Sequence, residues 1–359
     1  MRKKLIDISW ENFSALPLDA KVPYLCQDGS PYHTLFAQQF DLALLDRLCR
    51  LANSIRTIAK TRSGMDFLHQ LLCHKRAMLY FSQPSSRTFL SFYSACQILG
   101  MQTGEVRDTS TSSEFKGESR EDSVRTFSSY FDLIIMRSPE KGLAEHMAWV
   151  LSNSDRPIPL INAGSGQDQH PTQALLDIYT LQRSFERSGG LRDRTIVMVG
   201  DLARGRTVRS LSQLLLQFPN IRQIFVAPEP FQLRSDIQDI LRSRGVDFEL
   251  TDDFRKALPL ADAVYMTRIQ DEWDESPHAS EKIDISAFKL RAADLELLKP
   301  QAIIMHPLPR RDEIAVEVDR DPRAMYWRQM RNGMWIRAAL LAMIFGCERR
   351  TLDFHQANM

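Results

Sequence analysis

Apolar residues along the chain recur at two periods, and the alternation between them sets the expected architecture. From Phe40 to Ala59 the positions Leu42, Leu44, Leu45, Leu48, Leu51, Ala52 and Ile55 share one face at helical spacing. Short apolar runs then alternate with helical patterns. The spacing predicts a strand over 77–81 and a helix over 86–99, a short strand near 102–106 and a helix near 118–130. It continues with strand 132–137 and helix 142–152, then strand 157–163 and a helix from Pro171 to about Phe185. After Arg187-Ser188-Gly189-Gly190 the alternation resumes, with strand 195–199, helix 206–218, strand 221–227, helix 231–243 and strands at 246–250, 262–267 and 301–305. Two βαβ series in sequence predict an α/β fold of two doubly wound parallel-sheet domains. The last strong helix, Met334 to Phe345, is apolar on most faces and must bury itself. Residues 1 to 33 mix Pro, Asp, Ser and Gly with isolated aromatics and show no sustained period. They read as an extension packed on the surface or partly disordered.

Composition adds mainly exclusions. A chain of 359 residues has room for two cores. A net charge of +1 gives no general attraction to nucleic acid or a membrane surface, so any anion site must come from local clustering. The five cysteines form no CxxC pair and are odd in number, which favours a reduced, cytoplasmic setting. The basic start Met1-Arg2-Lys3-Lys4 is followed by Asp7, Trp10 and Glu11 rather than an apolar core, so a signal peptide is not expected. No run is long enough to span a bilayer.

Ligands of parallel α/β sheets bind beyond the carboxyl ends of the strands, so the polar residues there carry the chemistry. Ser85-Ser86-Arg87-Thr88 follows strand 77–81 where a helix opens, and helix N-termini favour anions. Arg87 adds a planar donor fork suited to phosphate or carboxylate. The plain alternative is a Ser N-cap with a surface arginine. Arg137 ends strand 132–137, and His170-Pro171-Thr172-Gln173 opens the helix after 157–163. The later strands are followed by Gly200-Asp201-Leu202-Ala203-Arg204-Gly205-Arg206-Thr207, by Arg268-Ile269-Gln270, and by His306-Pro307-Leu308-Pro309-Arg310. The recurrence of arginine at these strand ends in a neutral protein points to an anionic ligand. His69 and His74 are five apart and fall in no HxxxH or other recognised His/Cys ligand spacing, so no metal is expected. The turn at Gly200 lacks GxGxxG, so neither is a nicotinamide or flavin cofactor. In the polar loop from Arg107 to Gly117, Lys116 is the residue suited to close on an anion.

Taken in order, these motifs resemble the transcarbamoylases, in particular the aspartate branch of the aspartate/ornithine carbamoyltransferase family. The match runs from about Thr34 to Gly346. It includes Ser85-Ser86-Arg87-Thr88 (the family's Ser-Thr-Arg-Thr), Lys116-Gly117-Glu118, Arg137, His170-Pro171-Thr172-Gln173, Gly205-Arg206-Thr207, Arg268-Ile269-Gln270 and His306-Pro307-Leu308-Pro309-Arg310. The resemblance implies a carbamoyl phosphate domain over 34–184, with the C-terminal helix of about 334–348 packed back onto it, and an aspartate domain over 185–333. Long helices would bridge the two. It implies a homotrimer with shared active sites, Ser112 and Lys116 reaching into the neighbour's site, and no cofactor. Ser85, Ser86, Arg87, Thr88 and Arg137 would hold the phosphate. Thr88, Arg137 and His170 would polarise the carbamoyl oxygen, and Gln173 and the backbone of Leu308, before a cis Pro309, would contact the carbamoyl nitrogen. Lys116, Arg137, Arg206, Arg268, Gln270 and Leu308 would hold aspartate.

The implied reaction makes N-carbamoyl-L-aspartate and phosphate in pyrimidine biosynthesis. Two alternatives stand beside it: a transcarbamoylase for another amine such as ornithine, and a catalytically silent scaffolding homologue. Pro307, where ornithine enzymes typically carry Cys, together with Arg268 and Gln270, favours a second carboxylate on the acceptor. The chain departs from the family at Gln83, Phe115, Ala203, Asp271 and Trp273, while Glu272 is kept. The extension is expected to cover the trimer surface or to contact a partner chain, such as a regulatory or other pyrimidine-pathway chain.

Overall fold

The structure is a computed structural model that describes residues 3–108, 117–166, 169–274 and 283–358. The chain divides into two compact units, Met1–Leu176 with Arg331–Met359, and Asp177–Met330. Both divisions fall inside helices, α8 (Pro171–Phe185) and α12 (Tyr326–Ile344), rather than at the glycine turn 187–190.

The first unit is built on a four-stranded parallel sheet of β3 (Arg76–Phe81), β4 (Gln102–Val106), β5 (Leu133–Ser138) and β6 (Leu160–Ser165), in the order β4-β3-β5-β6. Strands β5 and β6 are buried along their whole length, as a parallel sheet covered on both faces requires. Strand β6 starts at Leu160 instead of 157 because Pro157 and Pro159 have no N–H to give a ladder. Helices α3 (Leu42–Ile58), α5 (Ser86–Ile98), α6 (Arg120–Tyr130) and α7 (Leu143–Ser152) match the periodic segments. Asp41 caps α3, its carboxylate accepting the Leu44 N–H at 2.8 Å. Helices α4 (Arg62–His69) and α13 (Glu348–Asn358) escaped the periodicity, and Phe67 of the one stacks on Phe354 of the other with centroids 3.9 Å apart. Each has too few apolar residues to show a sustained stripe.

The N-terminal extension is better ordered than its composition predicts. Helices α1 (Trp10–Ser14) and α2 (Leu18–Leu25), followed by the hairpin of β1 (Cys26–Gln27) and β2 (Ser30–Pro31), bury Leu5, Phe13 and Leu25 in the same apolar cluster as Met78, Ile134 and Leu160. Lys21 forms an ion pair with Glu145 of α7, both side chains largely out of water. The indole of Trp149 donates to the Ile8 carbonyl at 2.9 Å. Isolated aromatics without a period can therefore still be core residues, because each of these short helices supplies only one or two anchors.

The second unit carries a five-stranded parallel sheet of β7 (Thr195–Val199), β8 (Arg222–Val226), β9 (Phe248–Thr251), β10 (Ala263–Met266) and β11 (Ile303–Met305), in the order β11-β10-β7-β8-β9. The chain thus winds one way from β7 through β8 and β9, then returns to the other side of β7. The switch point lies between β7 and β10. Helix α9 (Arg206–Leu215) follows β7, and α10 (Ser235–Ser243) and α11 (Phe254–Ala257) precede β9 and β10 respectively. Helix α12 starts at Tyr326, eight residues before the apolar stretch that predicted it. Among the described residues no helix is long and apolar enough to cross a membrane.

If the extension is part of the first core, Phe13→Ala should cost about 3–5 kcal/mol, the usual range for deleting a buried phenyl. Urea unfolding followed by circular dichroism measures this, and a cost below about 0.5 kcal/mol would mark the extension as a superficial attachment.

Candidate active site

Each unit gathers its predicted residues at the carboxyl edge of its own sheet. In the first, Ser85 occupies the N-cap of α5 in extended backbone but makes no capping hydrogen bond with its side chain. The plain capping reading therefore fails for its hydroxyl, which lines an open depression of about 220 Å³ with Phe81, Pro84 and the exposed Arg107. Ser86 is exposed, Arg87 half-buried and Thr88 buried at the first turn of the helix.

Phe81 pairs in register with Arg137 on the adjacent strand. The Arg137 carbonyl accepts from the Ser82 hydroxyl at 3.2 Å and from the Gln83 N–H at 3.4 Å. Gln83 thus meets the end of β5 through its backbone N–H. The Arg137 guanidinium is buried and donates from Nη1 to the carbonyl of Ala163 on β6 at 3.1 Å. Three adjacent strands, β3, β5 and β6, are tied together at the end where the motif begins.

After β6 the chain turns at Gly166, whose φ of +45° and whose packing leave no room for a side chain: a Cβ there would lie 2.7 Å from the Pro139 carbonyl oxygen. The Ser165 N–H donates to the Gln169 carbonyl at 3.1 Å, which brings His170 back to the strand end. His170 and Gln173 are buried, and the Gln173 N–H donates to the His170 carbonyl at 3.0 Å at the start of α8. Arg337 of α12 lies over the Phe92 ring and reaches the Thr172 hydroxyl at 3.4 Å. Ser112, Phe115 and Lys116 lie outside the described residues.

In the second unit the residues sit around the switch point. Gly200 ends β7 with φ of +116°, and a Cβ would lie 2.2 Å from the Thr267 carbonyl oxygen after β10, so glycine permits this close approach. The fully buried Asp201 then organises two loops. It accepts the Arg204 N–H at 3.1 Å, the Arg204 Nε at 2.7 Å and the Gln270 N–H at 3.1 Å. Arg204 also pairs with Asp274 at 2.7 Å. Burial lowers the pKa of Arg204, but its hydrogen bonds to Asp201 and Asp274 more than reverse this and leave it raised.

Arg206 opens α9. Its guanidinium pKa is lowered to about 10, chiefly by burial, with the Glu272 carboxylate acting to raise it and the Arg268 cation to lower it. Arg268 is held as a fork by both oxygens of Glu272, at 2.7 Å on one side. It also donates to the Ile269 carbonyl at 2.8 Å. Two guanidiniums close enough to perturb each other, with Glu272 facing both, form a local excess of positive charge.

Leu308 has φ of +57°, and the Leu308–Pro309 peptide is cis, as the resemblance implies. The Leu308 N–H donates to Nδ1 of the fully buried His306 at 2.7 Å, so Nε2 carries the ring proton and donates to Glu313 at 2.6 Å. With its N–H committed, the turn can offer a substrate the Leu308 carbonyl. Burial raises the Glu313 pKa, but the hydrogen bond from His306 and the backbone N–H groups outweigh it and hold the carboxyl below its ordinary 4.5. Arg310 is structural: Asp319 grips its fork and Tyr326 stacks beneath it. Arg311 and Glu313 carry no warning in the sequence beyond their place beside a motif. Among the described residues no group of His, Cys, Asp and Glu is arranged to hold a metal ion.

Comparison with known proteins follows these two edges. Residues 32–183 match the model of the aspartate/ornithine carbamoyltransferase carbamoyl-P binding domain, and residues 192–344 that of the Asp/Orn binding domain. The chloroplastic aspartate carbamoyltransferase of Arabidopsis thaliana is 42% identical over 316 residues, covering 86% of this chain and 76% of the relative. The aspartate carbamoyltransferase catalytic subunit of Vibrio cholerae is 43% identical over 277 residues, covering 77% of this chain and 86% of the relative. Aspartate transcarbamoylase of Trypanosoma cruzi, solved with carbamoyl phosphate and aspartate, superposes with a TM-score of 0.78 at 36% identity, covering 87% of this chain and 96% of that one.

The depressed Glu313 pKa makes a pH prediction. A carboxyl whose pKa is lower in the folded than in the unfolded state contributes stability above the unfolded value, and this is lost as pH falls through the folded value. Glu313→Gln should therefore weaken the protein at pH 7 and flatten the loss of stability below about pH 4.5. Urea unfolding at pH 7 and at about pH 4 compares the two slopes, and equal pH dependence in variant and wild type would count against the assignment.

Proposed function

The chain belongs to the aspartate/ornithine carbamoyltransferase family, and we propose that it transfers the carbamoyl group of carbamoyl phosphate to the amine of L-aspartate. The products are N-carbamoyl-L-aspartate and phosphate, which places the enzyme in pyrimidine biosynthesis. Arg206 at the start of α9 and Arg268 just after β10, both at the carboxyl edge of the second sheet, support the choice of acceptor. Two guanidiniums suit an acceptor with two carboxylates, and they would repel the cationic side chain of ornithine. The relatives of 40–43% identity named aspartate carbamoyltransferase support the same choice over a silent homologue.

In this reading Ser85, Ser86, Arg87 and Thr88, with the N-terminus of α5, hold the phosphate, and Arg137 joins them. Ser112 and Lys116 come from a neighbouring subunit of a homotrimer. Thr88, Arg137 and His170 donate to the carbamoyl oxygen. Gln173 and the Leu308 carbonyl accept from the carbamoyl NH₂. Arg206, Arg268, Gln270, Lys116 and Arg137 hold the aspartate carboxylates, with Leu308 alongside. The neutral amine attacks the carbamoyl carbon, and the negative charge that grows on the oxygen meets donors already in place. The C–O bond to phosphate then breaks, phosphate leaves with the electron pair and takes the proton the amine gives up. Each oxyanion donor contributes on the order of 3 kcal/mol in such sites. Positioning accounts for much of the remainder, and the chemistry calls for no cofactor. The free thiols fit a reducing compartment; we place the enzyme in the cytoplasm, although the plant relatives are named as chloroplastic.

Steady-state assay should give saturable turnover with aspartate and carbamoyl phosphate and none with ornithine; absence of turnover with aspartate would overturn the reading. Arg268→Ala should raise the aspartate KM at least about tenfold, the equivalent of 1.4 kcal/mol, while the carbamoyl phosphate KM moves by less than about twofold. Equal rises in both would place Arg268 elsewhere.

Shared sites make a separate prediction. Mixing inactive Arg87→Ala and Lys116→Ala proteins under conditions of verified subunit exchange should restore part of the activity, because some hybrid sites would receive both native residues. No recovery would argue that each subunit builds its site alone.

A further inference from the structure

The two segments of the second unit assigned to substrate, Arg268–Gln270 after β10 and Leu308–Pro309 after β11, are joined by groups the mechanism above does not use. Glu313 stands at the centre. Its Oε1 accepts from His306 Nε2 at 2.6 Å, and both of its oxygens accept from the Arg311 N–H at 3.2 Å. His306 in turn holds the Leu308 N–H. The Arg311 side chain leaves this turn and grips Asp271 with two hydrogen bonds, Nη1 to Oδ2 at 2.7 Å and Nη2 to Oδ1 at 2.9 Å. Asp271 follows Gln270 directly and lies 3.6 Å from Arg268. From Leu308 to Arg268 there is an unbroken run of contacts: Leu308, His306, Glu313, Arg311, Asp271, Arg268.

We infer that Glu313 and Arg311 are positioning residues, which hold the Leu308 turn and the Arg268–Gln270 segment in a fixed relation so that the acceptor grip keeps its geometry. The inference rests on the assignment of aspartate to Arg268 and Gln270. An exposed ion pair is usually worth little to overall stability. This one differs in being bidentate and in having one end anchored through the backbone to a buried carboxylate. Its effect should therefore appear in the placement of the two loops. The carboxylates and cations around the pair are otherwise engaged. Glu272 faces Arg268, and Asp312 faces Lys289.

Arg311→Ala and Asp271→Ala should each raise the aspartate KM about fivefold with the carbamoyl phosphate KM and kcat within about twofold. The double variant should be no worse than the worse single, since each change breaks the same contact. Glu313→Ala should give the same KM pattern, and Glu313→Gln, which keeps the shape and one acceptor for His306, should recover part of it. Hydrogen exchange on the ligand-free protein reads the inference without any activity: in Arg311→Ala the amides of 267–274 should exchange several-fold faster while those of β7 and β8 do not change. Unchanged exchange in 267–274 would overturn the inference, as would multiplicative effects of the two alanine changes on the aspartate KM. If wild type failed to use aspartate, the exchange result would still decide the coupling of the two loops.

Discussion

A single buried carboxylate sets much of the second unit. Asp177, in the middle of α8, is wholly out of water and needs strong donors to be tolerated there. It receives them from the Tyr265 hydroxyl on β10 at 2.8 Å and from the Gln329 amide on α12 at 2.7 Å. The other end of that amide, Gln329 Oε1, accepts the His306 N–H at 2.9 Å. Asp177 is the first residue of the unit and Gln329 lies one residue from its last, so the chain enters and leaves through one hydrogen-bonded knot. The knot also fixes where β11 ends. His306 is then held by its backbone through Gln329 and by its ring through Glu313 and Leu308, so the turn after it inherits its position from the helices. A network of this kind is costly when incomplete, which is why its members can define one geometry.

The same demand, that every buried or crowded charge find a partner, governs how the chain spends its arginines. With 46 basic and 45 acidic residues there is no general surplus of positive charge to draw in two anionic substrates. Instead the carboxylates near the strand ends are each given a cation: Asp319 has Arg310, Asp271 has Arg311, and Asp201 and Asp274 share Arg204. These pairs neutralise the acidic groups and tie down the loops that carry Arg268 and Gln270. Arg206 bears the clearest mark of the result, its pKa lowered by burial and by the nearby Arg268. A cation held at that disadvantage gains more than a solvated one when a carboxylate arrives.

How much of this could be read beforehand differs from one element to the next. Strands β3, β7 and β10 are continuous apolar runs between turn residues, and their ends fell within a residue or two of the expected places. The positions of Arg137, His170 and Arg268 at or just beyond strand ends were legible from the apolar runs that precede them. The start of β6 was misplaced, since Ile158 continues the apolar run while its flanking prolines silently bar it from the ladder. Helices α1, α2, α4 and α13 went unseen because one or two anchors, such as Phe13 or Phe354, make no period. Arg310 and Arg204 looked like ligand groups and are structural, because their partners Asp319 and Asp274 are distant enough in sequence to give no signal. Glu313 was missed for the converse reason. It follows a recognised motif by a few residues and looks like any surface acid until His306 is seen to need it.

The placement of His306 also bears on the chemistry. Its imidazole is wholly buried, and both ring nitrogens are committed, Nδ1 to the Leu308 N–H and Nε2 to Glu313. Such a ring has no lone pair to offer a reacting amine, so the histidine that leads this motif is not a general base. What it does is remove the Leu308 N–H from competition and leave a carbonyl as the turn's polar group. A carbonyl can accept from an NH₂ and cannot donate to an oxygen, so in the proposed reading the turn faces the nitrogen side of a carbamoyl group. In the proposed reaction the donors to the carbamoyl oxygen are Thr88, Arg137 and His170 rather than this ring, and phosphate itself takes the proton released by the amine.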